Sequence, residues 1–170
     1  MKGKIFSKLS ALLLLFMMVS GGLFAADASL DLSGLITAST SVSFIPTAVA
    51  SSLTLTADAT GLEVGSLTEN SNDPDGYTLT AKSTNGFAVF SETGVLKGNT
   101  GGNPDSVTYT MAYGGTVTPF DTTSGLALLK DVTLASPGNV VTAITITYTG
   151  STILTADTYS DTITFTITAK

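Results

Sequence analysis

Thirteen carboxylates and seven lysines are the ionisable groups that most chemistry in this chain would have to use, because it contains no His, no Cys and no Arg. That rules out Ser-His-Asp and Cys-His nucleophiles and histidine-ligated zinc. Residue type alone permits a carboxylate pair for glycoside hydrolysis. The acids, however, fall one per turn or strand end, with no aromatic residue placed as a sugar platform, and turn acids are normally solvated. Gly98-Asn-Thr-Gly-Gly102 lacks the Lys and the strand-to-helix setting of a phosphate loop, and reads as a flexible loop. The best local candidate is Asn70-Ser-Asn-Asp-Pro-Asp-Gly76, where Asn72, Asp73 and Asp75, with Glu69 nearby, offer calcium hard oxygens on a loop with a Gly for the bend. It lacks the terminal bidentate Glu of a twelve-residue calcium loop, so a Pro-Asp-Gly turn is the favoured reading. The expectation is a protein that is not an enzyme and needs no cofactor.

The elements that carry these residues are strands. Thr dominates the polar residues, and its β-branched side chain suits the solvated face of a sheet. The clearest instance is Tyr159–Thr168, where Ile163, Phe165 and Ile167 alternate with Thr162, Thr164, Thr166 and Thr168 at a strict period of two. The same rhythm predicts strands over Leu30–Thr37, Val42–Phe44, Ser52–Ala57, Leu62–Glu69, Tyr77–Lys82, Phe87–Phe90, Val107–Tyr113, Ala127–Leu134 and Val140–Tyr148. Turns are predicted at Asp73–Gly76, Asn85-Gly86, Asn99–Pro104, Gly114-Gly115 and Ser136–Asn139. Apolar spacing of helical period is absent after the N-terminal segment, so essentially no helix is expected. Short strands with frequent turns imply an all-β sandwich or barrel. A transmembrane barrel would need aromatic girdles and outward apolar bands, whereas here Trp is absent and the outward residues are Thr.

Residues 1–28 read as a signal peptide. Lys2, Lys4 and Lys8 precede the apolar run Leu9–Val19, and small residues offer cleavage after Ala25, Ala26 or Ala28. That run is shorter than the roughly 20 residues a spanning helix requires. Cleavage leaves a single domain over 29–170, with four lysines against twelve carboxylates and a net charge of −8. Such a surface repels phosphate backbones and anionic lipid, which argues against nucleic acid and against membrane insertion. The expected location is secreted: periplasm, cell surface or extracellular. Without Cys the core alone must stabilise the fold.

Several segments together resemble the spore coat protein U and chaperone–usher pilin group. Leu32-Ser-Gly-Leu-Ile-Thr-Ala-Ser-Thr-Ser-Val-Ser-Phe44 is similar to its opening strand, with Ser41 where that group has a Cys. Asp75–Thr80 resembles its central strand, Ser106–Gly115 its Tyr-Thr-Leu-x-Tyr-x-Gly segment, and Ala156–Ile167 its closing strand, with Asp157 replacing a Gly. Gram-positive surface domains with a Trp-x-Leu signature end similarly, but carry Trp where this chain has Phe165.

The resemblance implies an immunoglobulin-like, pilin-like sandwich that lacks its last strand and accepts one from another subunit. It also implies partners that are other copies of itself or related subunits, with a periplasmic chaperone and an outer-membrane usher. The strand-pairing residues are then Leu30, Leu32, Gly34 and Ile36 on one side and Ile163, Phe165 and Ile167 on the other. Either Leu30–Ile36 is the donor, or the domain closes its own sheet with one of its extra strands. The resemblance also raises a Lys–Asn isopeptide crosslink through Lys82, Lys97 or Lys130, against solvated lysines as the default. Both Val140–Tyr148 and Tyr159–Thr168 have few of the charges and prolines that blunt an edge, and either suits an edge or a centre. The expected function is a structural or adhesive surface subunit that assembles by strand pairing. The alternative is a monomeric module binding glycan or calcium through Asn70–Gly76 and Gly98–Asn103.

Overall fold

The computed structural model describes residues 32–86 and 92–170. The signal-peptide segment, its cleavage sites, Leu30 and the strand expected at Phe87–Phe90 lie outside the described residues. The chain forms two compact units, Met1–Ile36 and Thr37–Lys170. In the first, 32–36 carry no regular structure, with Leu32, Leu35 and Ile36 exposed. The strand expected over Leu30–Thr37 is therefore not formed across its described part, which has no ladder partner among the described residues.

Thr37–Lys170 is all-β. Its strands are β1 (Thr40–Pro46), β2 (Ala59–Ser71), β3 (Tyr77–Ser83), β4 (Gly94–Gly98), β5 (Ser106–Tyr113), β6 (Thr116–Val117), β7 (Leu126–Val132), β8 (Ser136–Tyr148), β9 (Tyr159–Ser160) and β10 (Ile163–Ala169). One sheet runs β1-β2-β8-β5-β4-β9, with β6 beside the end of β5. The other runs β10-β3-β7, and all pairings are antiparallel. The sheets face one another across a shared core, a sandwich-like arrangement.

Alternation explains which side chains enter that core. In β3, Tyr77, Leu79, Ala81 and Ser83 are buried, whereas Thr78, Thr80 and Lys82 face outward. Leu67, Met111 and Ile144 from the large sheet and Phe120 from the loop after β6 meet them. A Cβ on Gly65 would stand 2.5 Å from the Ile45 carbonyl oxygen, so only Gly lets β1 pair closely here. Gly114 and Gly115 both have positive φ and close the tight β5–β6 hairpin.

Four expectations are corrected. Ser52–Ala57 is a loop following a 3-10 turn at Ala48–Ser51. Its carbonyls are taken by isolated donors, the Tyr148 hydroxyl to Thr54 at 3.2 Å and the Ser151 N–H to Leu55 at 2.8 Å, so no ladder forms. Ser136–Asn139 is not a turn but the start of β8, with the strain absorbed at Gly138 (φ 100°) and by a register shift opposite Glu69–Ser71. Two strands, β4 and β6, were not anticipated, being short and bounded by Gly. Finally, Tyr159–Thr168 is not one strand. It breaks at Asp161-Thr162, with β9 pairing β4 in the large sheet and β10 pairing β3 in the small one.

Candidate strand-docking edge

The small sheet has two edges, and they differ in chemistry. β7 carries Lys130 and Asp131, and its pairing with β3 slips at Leu79/Thr80. The slip and the charges make it a poor template for another strand. β10 pairs with β3 without a register shift over all seven residues and contains no charge and no Pro. Its other edge has no ladder partner among the described residues. Ile163, Phe165 and Ile167 share the inward face of β10, as their spacing predicts, but each is only half-buried. Val140–Tyr148, the other Thr-rich candidate, lies within central β8, between β2 and β5.

Beyond the β10 edge lies β1, the edge of the large sheet. Their ladders run them in opposite directions, and the rings of Phe44 and Phe165 meet across the seam with centroids 5.1 Å apart. Next to this contact an apolar cleft of about 170 Å³ opens, lined by Phe44, Leu53, Val64, Ile146, Ile163 and Phe165. It shares Ala50, Leu53, Leu96 and Asp161 with a second, more polar depression that continues along Ser51–Thr56 and Leu154–Ser160.

Asp161 positions the start of β10. Its carboxylate accepts hydrogen bonds from the Ser83 hydroxyl (2.5 Å), the Tyr109 hydroxyl (2.7 Å), and the backbone N–H groups of Asn85 (3.1 Å) and Thr162 (2.8 Å). Asn85 adds a side-chain bond to the Ser160 carbonyl at 3.1 Å. Burial, then the charge of Asp161, pushes the Tyr109 phenol above its usual range, so it stays a donor. These contacts fix the switch of the chain from one sheet to the other. Asp161 was missed as a positioning residue, although an Asp inside a β-branched run is a usable break signal.

The loops are likewise tied internally. Asp157 accepts from the Asn103 side chain (2.8 Å) and from the N–H (2.9 Å) and hydroxyl (2.8 Å) of Thr100. The Asn103 bond first, then those from Thr100, lower its carboxyl to about 2. Among the calcium candidates, Asp73 accepts the Asp75 N–H at 3.0 Å and its carbonyl accepts the Gly76 N–H, which is the arrangement of a turn. The Asn72 side chain bonds the backbone of Thr37 and Ser39. No group of three or more acidic side chains able to hold a metal occurs among the described residues.

Lys130, one of the crosslink candidates, meets Glu69 rather than an Asn. Glu69 is 1% exposed, and its Oε1 accepts from Lys130 Nζ and from the Tyr113 hydroxyl at 3.0 Å, while its Oε2 has no partner. Burial opposes the charge on Lys130, but the hydrogen bond and charge of Glu69 outweigh it and hold the ammonium above its usual range. This pair spans the two sheets.

Leu32, Gly34 and Ile36 lie in the Met1–Ile36 unit, exposed and outside any strand. No helix among the described residues is long and apolar enough to cross a membrane. No protein-family model matches the chain and a comparison with curated proteins gives no match, so no property of the site is carried over from a relative.

Proposed function

We propose that this chain is a secreted structural or adhesive subunit that assembles by donating its N-terminal segment to the β10 edge of another copy or a related subunit. The observation that carries the reading is the regular, uncharged β10 edge, which has no ladder partner among the described residues, with Ile163, Phe165 and Ile167 half-buried beside an apolar cleft. The donor is the segment around Leu30, Leu32, Gly34 and Ile36, whose alternation gives one apolar face. Main-chain bonds along β10 supply affinity, and the alternate side chains entering the cleft set the register.

The fold belongs, in this reading, to the immunoglobulin-like sandwiches, with β1 packed against the last strand without a ladder, so that a donor strand would take the hydrogen-bonding edge of β10 by displacing β1. The resemblance to spore coat protein U and chaperone–usher pilins points the same way and brings a periplasmic chaperone and usher as partners. Export through the 1–28 signal peptide would deliver the chain to its place of assembly. The rival loop-binding module finds less support, because the polar groups of Asn72, Asp73, Asn103 and Asp157 are engaged within the fold.

The test is electrophoresis of mature protein without boiling, together with sedimentation at rising concentration. The full mature chain should give a ladder of oligomers, and removal of Ser29–Ile36 should abolish it. A chain that stays monomeric at high concentration and melts reversibly overturns the reading.

A further inference from the structure

We propose that the apolar cleft beneath the 48–57 loop binds, within a single copy, an amphiphile made of a short hydrocarbon chain and a quaternary ammonium head. The site lies inside the Thr37–Lys170 unit and does not require assembly. Its floor is the inward face of four neighbouring strands: Val64 on β2, Ile144 and Ile146 on β8, Tyr109 on β5 and Leu96 on β4, all buried. Among the described residues the small sheet covers this floor through Ile163 and Phe165 of β10, and the rest of the roof is Phe44 of β1 with Ala50 and Leu53 of the loop. The loop is tied at its start, where the Thr47 N–H donates to the Val64 carbonyl (2.9 Å), and again at the carbonyls of Thr54 and Leu55. Between these ties the Ala50 and Ser52 N–H groups bond the Thr47 and Val49 carbonyls of the same turn, so the turn can move as a unit without breaking a ladder. Protein interiors leave few spaces larger than a water molecule. This one is about 170 Å³, and an apolar cavity of roughly 150 Å³ takes up a molecule the size of benzene.

The charges at the mouth select the head. At Ala50, Leu53, Leu96 and Asp161 the cleft passes into the polar depression, whose charged lining residues among those described are Asp157 and Asp161. Tyr159 lies between these two in sequence and also lines the depression. Lys97 follows Leu96 on β4, and strand alternation turns it to the other side of the sheet. The field there is negative, which attracts a cation and repels a carboxylate or phosphate. A carboxylate has about four acceptor sites. Those of Asp161 are taken by Ser83, Tyr109, Asn85 and Thr162, and those of Asp157 by Asn103, Thr158 and both donors of Thr100. A head bearing N–H groups would find these oxygens occupied. A quaternary ammonium has no N–H to satisfy and is held by charge and by an aromatic ring, here Tyr159.

The experiment titrates monomeric mature protein, by calorimetry and below micelle-forming concentrations, with octyltrimethylammonium, octanoate and octyl glucoside. Octyltrimethylammonium should bind saturably, one per chain, at least tenfold more tightly than the other two. It should shift the methyl resonances of Ile146 and Ile163 and leave those of Val141, exposed on the outer face of β8, where they are. Ala50→Phe, which fills the cleft from a loop outside any ladder, should weaken binding at least tenfold. Where that variant folds poorly, the resonance shifts of the wild type decide. Equal affinity for octanoate or octyl glucoside overturns the proposal for the head. No saturable binding, or binding that leaves Ile146 and Ile163 unshifted, overturns the site. A chain that binds octyltrimethylammonium in this way but never forms oligomers upholds this inference and overturns the assembly reading alone.

Discussion

The two edges of the three-stranded sheet flank the same strand, β3, and have been built for opposite ends. On β7, Lys130 reaches the buried Glu69 of β2 and so ties the two sheets together, while Asp131 pairs with Lys170 at the end of β10. On β10 no charged residue occurs between Ile163 and Ala169, and its apolar face stays half-covered. An edge can thus be closed by charge and irregular register, or left regular and apolar. Among the described residues, the small sheet thus carries one irregular, charged edge and one regular, uncharged edge, the latter with β1 packed against it.

The sharpest way to break this contrast is to exchange the character of the edges. Thr164→Lys with Thr166→Lys places two charges on the exposed face of β10 and should reduce assembly at least tenfold by sedimentation, with the circular dichroism spectrum unchanged. Leu126→Lys with Leu128→Lys on β7 should leave assembly as in wild type; an equal loss from both would show that the edges are equivalent.

The next effect concerns stability. Lys130→Ala strands the buried Glu69 carboxylate, a loss that costs about 3–5 kcal/mol for a fully buried pair. Lys130 is 31% exposed and water can partly replace it, so urea denaturation should show about 3 kcal/mol with the assembly of folded protein unaltered.

A smaller loss is expected where β10 begins. Asp161→Asn weakens the charge-assisted bonds from Ser83 and Tyr109 and should cost about 2 kcal/mol by the same measurement. Tyr109→Phe removes one of them and should cost about 1 kcal/mol.

The mildest test is acid. Asp157 has its carboxyl lowered from 3.8 to about 2, so the tie it makes to Thr100 is fully present above pH 3.8 and fades as pH falls through about 2. Amide exchange of Thr100 should rise only in that window. A rise already at pH 5 would contradict the Asn103 and Thr100 contacts.

Much of the architecture was legible in the chain. The alternation in Tyr77–Ser83 and in Ile163–Ala169 names the inward side chains correctly, because side-chain direction in a strand depends only on its period of two. The turns at Asp73–Gly76 and Gly114-Gly115 were equally readable from residues that favour tight bends. The pattern misled where satisfaction came from afar. Ser52–Ala57 alternates like a strand, yet Tyr148 and Ser151 take its carbonyls, and Ser136–Asn139 looks like a turn, yet β2 pairs with it.

The sequence by itself determined that this protein is sheet, which face of each long strand is apolar, and that catalysis through His or Cys is unavailable. Only the tertiary structure decided that Val140–Tyr148 lies in the centre while Ile163–Ala169 lies at an edge, and that Tyr159–Thr168 is divided between two sheets at Asp161. The reason is that a strand's own residues fix where its side chains point, whereas its place in a sheet depends on which distant segments occupy the hydrogen-bonding positions on either side.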